Sequence, residues 1–211
     1  MRIFGFALVP VALLAASSAT VPKVTFSKKF PRSVPEYVEI SVDREGHAIY
    51  KEAPDDDSPL QFQLAEHEAA EIFALAGKLG NFNRPLESNL KVAFTGAKTF
   101  CWEDGSEKHE VQFNYSQDPA AQQLWDWFEK ISETEGYLIM LGRTAKFDRL
   151  GVNQALLQLS VGYERNRLVA TTQFLPLLDR IAKNESYLHM ARERAASLAE
   201  AFRNPKPAGS Q

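Results

Sequence analysis

The sequence predicts an α+β protein, in which an antiparallel sheet with packed helices is followed by a C-terminal segment that is all helical. Three observations predict this fold class. Apolar and polar residues alternate in several short runs before residue 116, as they do in strands with one buried face. Asp104-Gly105 separates two such runs and is typical of a β-hairpin turn. After Pro119, apolar residues recur at spacings of three and four, which indicates amphipathic helices.

The first nineteen residues predict export. Arg2 is followed by the apolar run 3–16 and then by Ser17-Ser18-Ala19, which is the pattern of a secretory signal peptide. The run is too short to span a bilayer comfortably. We therefore expect cleavage after Ala19 and a periplasmic or secreted mature chain. An uncleaved N-terminal anchor is the alternative.

The composition limits the partners and bonds that the chain can have. The formal net charge is −3, and loss of Arg2 with the leader changes it to −4. A mildly acidic chain is poorly suited to non-specific binding of nucleic acid, which requires clustered positive charge. No second apolar run approaches about 18 residues, so we expect no membrane span in the mature chain. Cys101 is the only cysteine and cannot form a disulfide within the chain.

The residue pattern changes at several points along the chain, and these changes define its predicted parts. Residues 20–36 contain three prolines that interrupt regular structure and basic residues that favour solvation, which indicates a linker. The last residues contain two prolines, a glycine and no large apolar side chain, as disordered tails do. The predicted parts are a signal peptide at 1–19, a linker at 20–36, an α+β sheet domain at 37–135, a helical domain at 137–203 and a disordered tail at 204–211.

The sheet domain begins with three predicted strands and a helix. Tyr37 to Val42 and His47 to Lys51 are strands joined by a turn that ends at Gly46, and Leu60 to Leu64 is a third strand. A helix is expected from about Ala65 to Leu79, and Gly80 is a natural C-terminal stop. Its apolar stripe consists of Ala69, Ile72, Phe73, Ala76 and Leu79.

A second set of strands and a helix is predicted to follow. The alternation of Leu90, Val92 and Phe94 predicts one strand, and two more flank the hairpin turn at Asp104-Gly105. Asp118-Pro119 favours a helix start, because aspartate caps helices and proline suits their first position. The buried stripe of this helix is expected to consist of Ala121, Leu124, Trp127, Phe128 and Ile131. The order of the two sets is the basis for a further hypothesis, that the domain contains tandem βββα units.

The remaining residues predict three or four helices in short antiparallel pairs. Apolar residues between 138 and 161 have helical spacing with few interruptions. Pro176 lies in the next apolar stretch and is expected to begin or kink a helix. Asn184 or Ser186 is expected to cap the last helix.

No catalytic, cofactor-binding or metal-binding residue is assigned from the sequence, and no cofactor is predicted. His67 and Glu71 are four residues apart and could share a metal, but a solvated acidic helix face is the favoured interpretation. Cys101 with His109 would form a nucleophile and a base. A two-residue turn at Asp104-Gly105 pairs Cys101 with Lys108 and places the two groups on opposite faces, although a slipped register would bring them together.

Two other groups of residues are candidates for ligand sites. Asp55-Asp56-Asp57 could bind calcium but lacks the alternate ligands and central glycine of an EF-hand, so a solvated loop is favoured. Trp102 and Trp127 lie on apolar stripes and are expected in the core. Trp125 lies at the edge of its stripe, so we expect it to be partly exposed and to be the best single candidate for a contact residue.

The stretch from about residue 36 to 115 resembles a family of secreted bacterial proteins of unknown function. The matching features are the strand Glu36-Tyr37-Val38-Glu39-Ile40, the turn at Gly46, the helix from Leu64 to Leu79 and the hairpin around Asp104-Gly105. The resemblance implies an extracytoplasmic α+β module and transfers no active site.

These observations favour an exported and non-catalytic module that binds a protein or another component of the bacterial envelope or exterior. The alternative is a hydrolase of envelope or extracellular substrates with a site that the sequence does not reveal. A third hypothesis is a structural domain that stabilises a larger assembly through its helical segment, which an exposed apolar patch on those helices would favour.

Overall fold

The computed structural model describes residues 21–205 and confirms the α+β fold class. Six antiparallel strands form one sheet in the order β4-β3-β2-β1-β5-β6. The predicted signal peptide and residues 206–211 of the predicted tail lie outside the described residues. The strands are β1 (Lys23–Lys29), β2 (Tyr37–Asp43), β3 (His47–Lys51), β4 (Leu60–Gln63), β5 (Ala97–Asp104) and β6 (Glu107–Phe113).

Five α-helices accompany the sheet, and the first two cover one of its faces. Along each strand every second side chain points into this layer, as the period of two requires. Phe26 of β1 stacks on Phe128 with ring centroids 5.0 Å apart, and Trp102 of β5 meets the edge of Phe73 at 5.7 Å. The helices are α1 (Glu66–Lys78), α2 (Pro119–Phe147), α3 (Val152–Glu164), α4 (Leu175–Lys183) and α5 (His189–Arg203).

The predicted linker is wrong for residues 23–29, which form a strand in the interior of the sheet. β1 lies between β2 and β5 and pairs with both along its whole length. Val24 and Phe26 are buried, whereas Lys23 and Lys28 are partly exposed and Lys29 is exposed. Pro22 and Pro31 flank this strand rather than interrupting it, so the proline-rich composition marks its two ends.

The strand expected at Leu90, Val92 and Phe94 does not form, so the tandem βββα hypothesis is wrong. β5 already pairs with β1 on one side and β6 on the other, which leaves the preceding segment no free edge of β5 to join. Instead, the Asn114 amide accepts a hydrogen bond from Thr95 N at 2.9 Å and donates one to Ala93 O at 3.1 Å. The three apolar side chains are consequently exposed.

The β5–β6 hairpin turns one residue later than expected. Asp104 pairs with Glu107, so Gly105 and Ser106 form the loop, and Trp102 rather than Phe100 lies opposite His109. Gly105 has a φ of 60° at the first loop position, where a type II′ turn requires glycine. The shift changes each partner by two residues, so it leaves every side chain on its predicted face.

Helix α2 belongs to two hydrophobic cores. Its 29 residues run without a break through the boundary that the sequence suggested near residue 136. The first half packs Leu124, Phe128 and Ile131 against the sheet, whereas Leu141 and Ala145 pack among α3, α4 and α5. The helical segment is therefore built onto the helix that closes the sheet domain.

The number of the remaining helices agrees with the prediction, but the start of the last helix does not. Pro176 lies in the first turn of α4, as expected for a residue that lacks a backbone donor. Neither Asn184 nor Ser186 caps the last helix. The Asn184 side chain accepts from Ser186 N at 2.9 Å in the preceding turn, and α5 begins at His189.

Buried polar groups join the two cores near the middle of α2. Thr134 Oγ1 accepts a hydrogen bond from Val169 N at 3.1 Å, and Gln173 Nε2 donates to Glu135 Oε1 at 2.8 Å. Glu135 is fully buried, and its Oε2 has no hydrogen-bond partner among the described residues. Burial accordingly raises the pKa of Glu135 to about 7.

We predict that Glu135→Gln stabilises the protein at about pH 8. The raised pKa means that the folded state holds its proton more tightly than the unfolded chain does, so stability falls as the pH rises from about 4.5 to 7. Removing the buried charge should add about 3 kcal/mol to the free energy of unfolding above pH 7. Urea titrations across this pH range measure the difference, which should shrink toward pH 4.5.

Glu164→Gln is the matched control, because Glu164 is exposed at the end of α3. It should change the free energy of unfolding little at any pH. A Glu135→Gln protein that is less stable than the wild type throughout the range would contradict the assignment.

Candidate functional site

The face of the sheet that the helices do not cover is the main candidate site. We call it the open face, and its central floor consists of Thr25, Ser27, Ser41, Ile49, Thr99 and Cys101. The strand registers build this floor in rows, since Thr25 lies opposite both Ser41 and Cys101. Ser27 lies opposite both Glu39 and Thr99 in the next row. Hydroxyl groups from three adjacent strands therefore line one surface.

Charged side chains border this floor and turn it into a groove of about 310 Å³. Three lysines and three glutamates form the border, so its formal charge is balanced. Their charges alternate in sign from one strand to the next, which lets most of these side chains pair with one another. The border residues are Lys23, Glu39, Lys51, Glu103, Lys108 and Glu110.

Ion pairs hold the border side chains in place. Glu103 contacts Lys23 at 2.9 Å and Lys108 at 2.8 Å, and Lys51 contacts Glu39 at 3.2 Å. The hydrogen bonds from Lys108 and Lys23 lower the pKa of Glu103 to about 2. The pairs are partly exposed, so they contribute little to stability. The pairs place charged donors and acceptors along the edges of the groove.

The structure places Cys101 and His109 on opposite faces of the sheet, as the sequence predicted. Cys101 lies opposite Glu110 on the open face, whereas His109 lies opposite Trp102. His109 Nδ1 is 3.2 Å from Asn81 O. Burial raises the pKa of the Cys101 thiol, which disfavours the thiolate that a nucleophile needs. This pair does not have the geometry of a nucleophile and its base.

The other candidate metal-binding residues lie at exposed or partly exposed positions. His67 and Glu71 are both exposed on α1. Asp56 accepts a hydrogen bond from Ser58 N at 2.9 Å in the loop between β3 and β4, which closes a local turn. Within residues 21–205, no group of three or more histidine, cysteine, aspartate or glutamate side chains could hold a metal ion.

Trp125 is half-buried and packed by its own neighbours. Its Nε1 donates to Glu129 at 2.9 Å, and the Lys98 ammonium lies 4.7 Å from the ring centroid. Lys98 is itself buried and donates to Asn114 O at 2.7 Å. Burial lowers the pKa of this lysine. These contacts occupy both the ring face and the polar atom, so Trp125 serves the packing of α2 on the sheet.

Two exposed apolar surfaces were not predicted. The first, here called the loop pair, joins the segments 30–36 and 89–95.

The second, here called the helical end, joins the segments 143–150 and 183–193. It exposes Phe147, Leu150, Leu188 and Met190 around the α2–α3 turn and the start of α5. Tyr187 Oη donates to Ala145 O at 2.9 Å, which ties these two segments together. Leu90, Val92 and Phe94 were visible as an apolar alternation, but only the topology reveals that they lack a strand partner.

No model of a known protein family matches this chain, and no curated protein matches it either. Between residues 21 and 205, none of the helices is long and apolar enough to cross a bilayer.

Proposed function

We propose that the protein is an exported, non-catalytic binding module of the bacterial envelope or exterior, and that its open face binds part of an envelope or extracellular protein. The observation that carries the proposal is the groove on the open face. An antiparallel sheet with one solvated face is a preformed and rigid surface on which side chains keep fixed positions. The export pattern of the first nineteen residues supports the location.

The chemistry of the groove favours a protein segment as the ligand. Hydroxyl groups on the floor can donate and accept hydrogen bonds. The border carries equal numbers of positive and negative groups, whereas a polyanion such as nucleic acid would require a net positive surface. A polypeptide with both donors and acceptors, and with side chains of both signs, complements this arrangement.

The arrangement of the groove also supports a binding role rather than a catalytic one. Its single thiol belongs to Cys101, whose pKa is raised by burial. Five of the six charged groups of the border form pairs with each other, as Glu103 does with Lys23 and Lys108, and the exception is the exposed Glu110. A general base or acid would need a free group with a pKa near the working pH.

We predict that the mature chain begins at Thr20 and is found outside the cytosol. Fractionation of the producing cells measures the location of the protein, and N-terminal sequencing of the recovered protein measures where the mature chain begins. The expected result is a chain without residues 1–19 in the periplasmic or extracellular fraction. Recovery of the intact precursor in the cytosol would contradict the export half of the proposal.

We predict that Thr99→Arg weakens capture of the partner at least tenfold. Thr99 is half-buried in the middle of the floor, and an arginine there fills the groove without disturbing the opposite face. The measurement is quantitative capture from an envelope extract, with immobilised wild-type and variant proteins compared side by side. Denaturant unfolding establishes that the variant remains folded.

Gln158→Arg is the matched control for this experiment, since Gln158 is exposed on α3 and remote from the sheet. The same envelope protein should be captured by the wild type and by this control. Equal capture by Thr99→Arg, or no protein that is reproducibly captured by the wild type, would count against the groove as the binding site.

The helical end favours a second candidate function, a structural domain that assembles through its helices. Phe147 is 74% exposed and Leu150 is 75% exposed, which is unusual for large apolar side chains. The exposed charged residues of these segments have both signs, so two copies can place opposite charges against each other. They are Arg143, Lys146, Asp148, Arg149, Lys183, Glu185 and Glu193.

We predict that self-association at the helical end is lost in the double variant Phe147→Ser with Leu150→Ser. Sedimentation velocity over a range of micromolar concentrations should detect a dimer of the wild type and a monomer of the variant. The double variant Val34→Ser with Phe94→Ser, on the loop pair, should associate like the wild type. A wild type that stays monomeric at every concentration would reject this candidate.

A further inference from the structure

The loop pair exposes large apolar side chains beyond the sheet. Val34 in the β1–β2 loop is 99% exposed, so nothing in the part of the chain that the structure describes covers it. Phe94 in the segment before β5 is 58% exposed, and Leu90 and Val92 are also exposed. Isolated exposed apolar residues are ordinary, but a group of four on two adjacent loops marks an interaction surface.

Direct contacts make the two loops one surface. The rings of Phe30 and Phe94 meet edge to face with centroids 6.1 Å apart. Gly96 approaches the backbone of Lys29 and the side chain of Phe30 so closely that an added Cβ would lie 3.1 Å from Phe30 Cβ. Because Gly96 also has a φ of 105°, this approach depends on glycine. The tips of both loops therefore project from the same end of the sheet.

The exposed charges around these tips are mainly positive. Arg32 and Lys91 of the loop pair and Lys29, the last residue of β1, are exposed, and Glu36 is the exposed carboxylate of the loop pair. Glu87, just before the second segment, is partly buried and accepts a hydrogen bond from Asn114 N at 2.6 Å. This excess of two positive charges contrasts with the net charge of −3 for the whole chain.

We propose that the loop pair is a peripheral docking surface for an anionic lipid membrane, a role beyond the binding function of the open face. Apolar tips surrounded by basic side chains match an interface in which acyl chains lie beneath negative headgroups. Val34 and Phe94 enter the headgroup region, while Lys29, Arg32 and Lys91 contact lipid phosphates. A second copy of the chain is a poorer occupant, because two loop pairs facing each other would bring like charges together.

The test is co-sedimentation of the chain from Thr20 to Gln211 with vesicles. Vesicles of phosphatidylcholine alone are compared with vesicles of phosphatidylcholine and phosphatidylglycerol in a roughly 2:1 ratio. The wild type should bind the anionic vesicles and not the neutral ones, and added salt should weaken binding because it screens the charges.

Two double variants of the loop pair test its two components. Val34→Ser with Phe94→Ser should lower the partition coefficient at least tenfold. Arg32→Gln with Lys91→Gln should lower it roughly 25-fold, since each basic residue near an anionic surface contributes a factor of about five. All four side chains are exposed, so the variants should keep the wild-type free energy of unfolding.

The helical end supplies matched controls, with the same kinds of change at equally exposed positions. Phe147→Ser with Leu150→Ser, and Lys146→Gln with Arg149→Gln, should bind anionic vesicles as the wild type does. The proposal is overturned if the wild type does not bind anionic vesicles, or if the controls lose binding and the loop-pair variants do not. It is also overturned if the loop-pair variants abolish self-association and leave vesicle binding unchanged, because the occupant is then a second copy.

Discussion

The structure depends on a single helix that buries two different surfaces along its length. A helix of 29 residues is about 43 Å long, which exceeds the width of the sheet that α2 covers. Its first half closes the sheet core through Leu124, Phe128 and Ile131. Its second half would expose its apolar side chains if α3, α4 and α5 did not enclose it. The helical segment is thus a physical consequence of the length of α2, and the buried polar groups around Thr134 lie where one core gives way to the other.

The same one-sided packing leaves free the face of the sheet on which we propose that a partner binds. Because α1 and α2 cover one face, alternate residues of every strand are left on the open face, and apart from Ile49 those that line the groove are polar or charged or, at Cys101, a thiol. Paired charges then fix the border, as the contacts of Glu103 with two lysines illustrate. A flexible charged surface would have to be ordered when a ligand binds, at a cost in entropy. The sheet has already ordered this one.

The sequence predicted what depends on local spacing and missed what depends on assembly. The stripe of α1 and the N-cap at Asp118 were confirmed, since both follow from residues within one or two turns. The groove could not be predicted, because Thr25, Ser41 and Cys101 become neighbours only through the register of three strands. β1 was missed because prolines at the two ends of a strand give the same local composition as prolines within a linker. The hairpin faces were right despite a wrong register, since a shift of two residues preserves every face.

The strand predicted at residues 90–94 does not form, and the reason accounts for the apolar surface that this segment exposes. An alternating apolar pattern records that one face of a segment is suited to burial, and it does not specify the surface that covers that face. β1 has the same kind of pattern and finds two strand partners. The segment 90–94 finds no free edge of β5, and the Asn114 side chain satisfies the backbone of Ala93 and Thr95 in place of a strand. Leu90, Val92 and Phe94 stay exposed, although the Phe94 ring meets Phe30, and Val34 in the neighbouring loop is more exposed still. Two unrelated loops that are held in contact and expose apolar groups together, with basic residues around them, point to burial in something outside the chain.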